Sequence, residues 1–200
     1  MRIKAETIHE ISINKSRFIC YLERVNNEVE AKTYIKKIKK LHPKANHYCY
    51  AFIIDQDLQR SNDDHEPSGT AGLPMLQVLR QNKMDNICAV VVRYFGGILL
   101  GSGGLIRAYS KSVSTTLDIA VLYETITYQR YTLNIDYSLT NTIEFLLKDT
   151  IIEQKDYQDI VSYQFCTTDE ALIFKINELT GGKYQPVLIG NVEIEKIINN

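Results

Sequence analysis

Three carboxylates, Asp63, Asp64 and Glu66, fall within four residues of each other in the stretch 62–74, NDDHEPSGTAGLP, with His65 among them. Oxygens this close suit a hard cation if they converge. Equally, they can accept the guanidinium of Arg93 or Arg107 and so fix the loop in place. His65 beside them could act as a base, although a lone exposed loop histidine more often has no such role. A second stretch, 87–110, reads ICAVVVRYFGGILLGSGGLIRAYS and puts five glycines within nine residues. Glycines let backbone approach backbone or ligand where a Cβ would clash. An apolar run feeding such a loop and then a helix presents unpaired N–H groups that suit an anion.

The helix is expected to start at Gly103 or Gly104, because Leu105, Ile106, Tyr109 and Val113 recur at helical spacing. Ser102 then falls at the N-cap, Gly101 lies just before it, and Arg107 is placed one turn on to close over a bound anion, with Lys111 beyond. The alternative is a tight turn that only packs helix on sheet. Neither G-x-x-x-x-G-K-[ST] nor G-x-G-x-x-G can be threaded through the loop. Nucleophilic catalysis finds no support. Ser102 is not in a G-x-S-x-G elbow. Ser68 and Thr70 serve equally well as turn and cap hydroxyls, Thr70 being also a candidate cleft residue. Cys20, Cys49, Cys88 and Cys166 sit singly in apolar surroundings, which predicts buried thiols, with no disulfide and no zinc site. No catalytic residue, metal or cofactor is expected, and a phosphate-containing ligand stays open.

The elements that must hold these residues follow from periodicity. Residues 6–13 and 17–25 form two strands joined at 14–16. Asn27 with Glu30 resembles a capping box, and Ala31, Tyr34, Ile35, Ile38 and Leu41 give a helical stripe that stops at Pro43. Residues 47–54 are a strand with Tyr48, Tyr50, Phe52 and Ile54 on one face, and 55–68 read as polar loop. Pro74 suits the first turn of a helix, and 87–92 is a strand buried on both faces. After 120–127 the pattern restarts as strand 131–137, helix 140–148, hairpin 151–157 and 160–167, helix 169–179, and strand 186–197. That βαββαβ order is the ferredoxin-like split arrangement. The sequence therefore predicts two α+β domains, 1–127 and 128–200.

Hydrophobic content of 44% and charged content of 24% suit a soluble globular protein. The longest apolar runs fall far short of a membrane span, and MRIKAETIHE lacks the pattern of a signal peptide, so a cytoplasmic protein without membrane contact is expected. The net charge of −1 hides an asymmetry: residues 1–127 carry 17 Lys+Arg against 13 Asp+Glu, and 128–200 carry 6 against 11. Those differences, +4 and −5, bear on partners rather than on fold. Within the first helix, Lys32, Lys36, Lys37, Lys39 and Lys40 form a basic face, either mere solvation or a nucleic-acid contact.

DDHEPSGTAGLP followed by VVRYFGGILLGSGGLIRAYS resembles the IMPACT/YigZ family, with its D-D-x-E-P-x-G-T-A-G-x-P and R-Y-F-G-G-x-L-L-G-x-G-G-L patterns. His65 stands where bacterial relatives often carry glycine. The resemblance implies an N-terminal α/β sandwich like the second domain of a small-subunit ribosomal protein, a fold shared with sugar and mevalonate kinases. It also implies a ferredoxin-like C-terminal domain similar to the last domain of elongation factor G. Eukaryotic members regulate translation under amino-acid stress by competing for a ribosome-associated activator of an initiation-factor kinase. Two functions therefore stand: a non-enzymatic regulator of translation that binds a ribosome-associated protein or RNA, or an enzyme or sensor for a phosphorylated small molecule or nucleotide at the glycine loop. On charge, the first domain is expected to make any RNA contact.

Overall fold

The computed structural model describes residues 1–198. It divides into two compact units, Met1–Glu124 together with Ile197 and Ile198, and Thr125–Lys196. The first unit is built on a five-stranded antiparallel sheet in the order β2-β3-β6-β4-β5, namely Thr7–Ile13, Ser16–Arg24, Ile87–Tyr94, His47–Ile54 and Leu58–Asn62. Asn14 and Lys15 link β2 to β3 with φ of 46° and 64°, the backbone that a two-residue hairpin demands.

Alternation along the strands feeds two cores. Toward one face, Ile19, Tyr21, Cys88, Val90 and Val92 pack against Tyr34, Ile35 and Ile38 of α1 (Glu28–Leu41). The Asn27 carboxamide caps α1 by accepting from the Glu30 N–H at 2.9 Å, and Glu30 accepts in return from Asn27 Nδ2 and from the Asn26 N–H, both at 2.8 Å, a variant of the capping box. Toward the other face, Phe18, Leu22, Ala89 and Val91 meet Met75 and Leu79 of α2 (Gly72–Gln81). Tyr109 and Val113 of α3 (Gly101–Ile119) complete that core. The first unit is thus the α/β sandwich that the resemblance implies, with β6 buried on both faces at the centre. A short strand, β1 (Arg2–Ile3), pairs with Leu122 and Tyr123 at the start of β7 (Leu122–Ile135).

In the second unit, β7 pairs with β9 (Val161–Thr167), β9 with β8 (Ile151–Tyr157), and β10 (Val187–Ile198) with β7. With α4 (Thr140–Leu147) and α5 (Glu170–Leu179) this is the predicted ferredoxin-like βαββαβ, in the strand order β8-β9-β7-β10. Tyr131, Leu133, Tyr163 and Phe165 bury against Ile143, Leu147, Leu172 and Ile176 of the two helices. All four cysteines of the chain are buried free thiols, and burial pushes Cys20 up to about 12.

Three expectations change. Residues 58–62, read as loop, form β5, an edge strand that among the described residues pairs only with β4. Helix α3 starts at Gly101, two or three residues early, so Ser102 lies inside its first turn and caps nothing. Residues 122–127, read as a pause between domains, already belong to the long strand β7.

Candidate functional site

Strand β6 alternates Ile87, Ala89 and Val91 into the core beneath α2 and α3, so its next inward residue is Arg93. That places a guanidinium, 5% exposed, at the end of an apolar strand, where an unpaired charge is very costly. Glu66 answers it. Its Oε1 accepts from Arg93 Nη1 at 2.6 Å and from the Tyr109 hydroxyl at 2.7 Å. The Arg93 guanidinium also stacks near the rings of Phe18 and Phe95, 5.3 and 5.5 Å from their centroids. Cross-strand register sets His47 opposite Arg93. His47 Nδ1 donates to the Asp64 carbonyl at 2.9 Å, since a carbonyl can only accept, and Nε2 lies 3.9 Å from Glu66 Oε1. Burial is the main cause that pushes both the Tyr109 hydroxyl and the Cys49 thiol well above their ordinary ranges. Both are therefore neutral donors at physiological pH rather than nucleophiles.

The carboxylates of 63–66 separate into three tasks. Asp63 accepts from the N–H groups of Gly69, Ala71 and Gly72 at 2.8–3.0 Å, so it folds the loop and caps α2. Asp64 accepts from the Tyr48 N–H at 2.8 Å and from Lys39 Nζ at 2.9 Å. Only Glu66 meets an arginine, and that arginine is Arg93. The three do not converge on a cation, and among the described residues no group of three or more His, Cys, Asp or Glu side chains is arranged to hold one. Thr70 donates to the Pro67 carbonyl at 2.6 Å and acts as a buried turn hydroxyl. His65 has φ of 70° and is exposed, a left-handed backbone state that glycine adopts without strain.

A cavity of about 410 Å³ opens where the loop 63–67 meets the loop 95–100. Arg93, Glu66, His47 and His65 line its polar side, and Phe95, Leu99, Leu100 and Leu105 its apolar side. Gly101 and Ser102, the first turn of α3, complete it. Gly101 opens the helix with φ of +68°, which a side chain would strain. Gly96 is needed for another reason: a Cβ there would lie 2.0 Å from the Lys15 carbonyl carbon, where the β2–β3 turn passes. Ser16, the first residue of β3, accepts from the Gly96 N–H at 3.1 Å and from Arg93 Nη2 at 3.5 Å.

Of the predicted cleft residues, the structure therefore brings together Glu66, Arg93, Gly101 and Ser102. Gly103 and Gly104 sit behind them in the same turn, outside the lining. Asp63, Asp64 and Thr70 shape the loop from behind. Arg107 does not line the cavity; its guanidinium lies back along the exposed surface of α3, 3.5 Å from where a Gly103 Cβ would be. His47 and Phe95 escaped the sequence reading, because nothing in a single strand's pattern shows which residue its neighbour will place alongside. The lysine face is partly spent internally: Lys32 pairs with Glu28, Lys37 with Glu6 and Lys39 with Asp64, whereas Lys36 and Lys40 are exposed.

Comparison with known proteins matches residues 14–117 to the Impact N-terminal domain. A Bacillus subtilis (strain 168) protein named IMPACT family member YvyE is 44% identical over 188 residues, covering 90% of this chain and 87% of its own. The Escherichia coli (strain K12) IMPACT family member YigZ is 40% identical over 155 residues, 74% of this chain and 76% of its own. Among solved structures, the crystal structure of a hypothetical protein is 34% identical, with a TM-score of 0.60 over 94% of this chain and 95% of that one.

Proposed function

Because the chain belongs to the IMPACT family, we propose that it regulates translation in the cytoplasm by binding a ribosome-associated protein or RNA, without chemistry of its own. The observation that carries this reading is the apolar loop at the mouth of the cavity, where Phe95, Ile98 and Leu99 are 44%, 42% and 86% exposed. A leucine left that bare between two glycine pairs stabilises nothing in its own fold, and loops held on a rigid sheet are where recognition concentrates. Charge supports the first unit as the contact: residues 1–127 carry the positive balance, while 128–200 are acidic and repel phosphates. Among the described residues no helix is long and apolar enough to cross a membrane.

Sedimentation of a cell lysate containing the full chain tests the reading. The protein is expected to co-migrate with ribosomal particles at low salt, and Leu99→Asp is expected to release it to the top of the gradient with its melting temperature unchanged. Wild-type protein that stays at the top under every salt condition sinks the proposal.

A further inference from the structure

We infer that the cavity at the start of α3 binds the phosphate group of a small phosphorylated molecule, held between the first-turn amides of α3 and the guanidinium of Arg93. Two independent observations carry this. The N–H groups of Gly101, Ser102 and Gly103 precede the first possible intrahelical acceptor, Leu100 supplies no side-chain cap, and no carboxylate of the 63–66 cluster accepts from them. These three donors head a 19-residue helix whose dipole places roughly half a positive charge there.

The second observation is Arg93 itself. An arginine carries five donors. Arg93 spends one on Glu66 and offers one to Ser16 at the limiting distance of 3.5 Å, and its buried Nε has no hydrogen-bond partner. The guanidinium lines the same cavity as this uncapped helix end and keeps one further N–H on each η nitrogen beyond those given to Glu66 and Ser16, for which a phosphate oxygen supplies the acceptor; Nε, sealed from solvent, takes no part. Glu66 holds Arg93 in place and partly balances its charge, so the pocket is not a sink for any anion. Size then narrows the class. The cavity, about 410 Å³, far exceeds one phosphate when a water occupies roughly 30 Å³. Its remaining wall, Phe95, Leu99 and Leu105, is apolar and suits the organic body that the phosphate carries.

Amide NMR of the full chain tests this with inorganic phosphate, AMP and a 5′-phosphorylated oligonucleotide as probes. Phosphate is expected to shift the amides of residues 101–105 saturably, and AMP to do so at about tenfold lower concentration. Ser102→Glu places an internal carboxylate on the first turn; it is expected to fold with an unchanged or higher melting temperature and to abolish both responses. Absence of a saturable shift up to about 50 mM phosphate, or an undiminished response in Ser102→Glu, overturns the site. A response to the oligonucleotide alone overturns the small-molecule occupant and assigns the surface to RNA. These outcomes do not depend on whether Leu99→Asp leaves ribosomal particles, so the two proposals fail separately.

Discussion

Helices α2 and α3 cover the same face of one sheet, yet their first turns are treated in opposite ways. At α2 the chain folds back an anion of its own: Asp63 takes the N–H groups of Gly69, Ala71 and Gly72, and the turn is closed. At α3 no side chain caps the turn, and a buried cation, Arg93, lines the same cavity together with its partner Glu66. The difference teaches that a glycine-rich helix start is not in itself a binding device. On the proposed reading it becomes one only where the fold withholds the carboxylate that would otherwise settle on it.

Arg93→Met should have the largest effect. It leaves Glu66 buried without its counter-ion, and removing one partner of such a pair costs about 3–5 kcal/mol, to be read from urea denaturation. A loss under about 1 kcal/mol would mean that water in the cavity already serves Glu66, and that the charge at α3 is not held by the fold. Asp63→Ala comes next. It unseats three charge-assisted bonds and should cost about 2–4 kcal/mol, with the amides of Gly69, Ala71 and Gly72 losing hydrogen-exchange protection first. The smallest effect is expected for Ser102→Ala, within about 0.5 kcal/mol, because this hydroxyl caps nothing. A loss near 1 kcal/mol, the usual worth of an N-cap, would show that α3 is closed after all and erase the contrast with α2.

Much of this was legible from residue order, and the failures have physical causes. The βαββαβ unit and the buried β6 rest on hydrophobic pattern, which burial imposes directly, and the cap of α1 on two residue types three apart. The tasks of Asp63, Asp64 and Glu66 do not. Asp64 and His65 both adopt left-handed backbone, with φ of 41° and 70°, and two such residues in succession turn the chain enough to send neighbouring carboxylates in different directions. Spacing alone predicts convergence where the backbone produces divergence. β5 escaped notice because an edge strand with LQRSN buries little and so carries no alternation. The start of α3 was placed late for a related reason: the helical stripe begins where α3 first buries a side chain, at Leu105, one turn after the helix itself begins.

The sheet order β2-β3-β6-β4-β5 has a consequence for assembly. Along the chain two hairpins come first, β2-β3 and β4-β5, each with two open edges of which one is later covered by β6. The strand that joins them is synthesised last and lies in the middle, pairing with β3 on one side and β4 on the other. Until residue 94 has been made, neither hairpin has its neighbour, and ICAVVV is itself the kind of β-branched, uncharged segment that associates when left unpaired. Long-range closure of this kind is slow. The same strand that completes the sheet also carries Arg93 to Glu66, so the ion pair of the pocket depends on the centre of the fold, while the remaining wall waits for the loop 95–100 and α3.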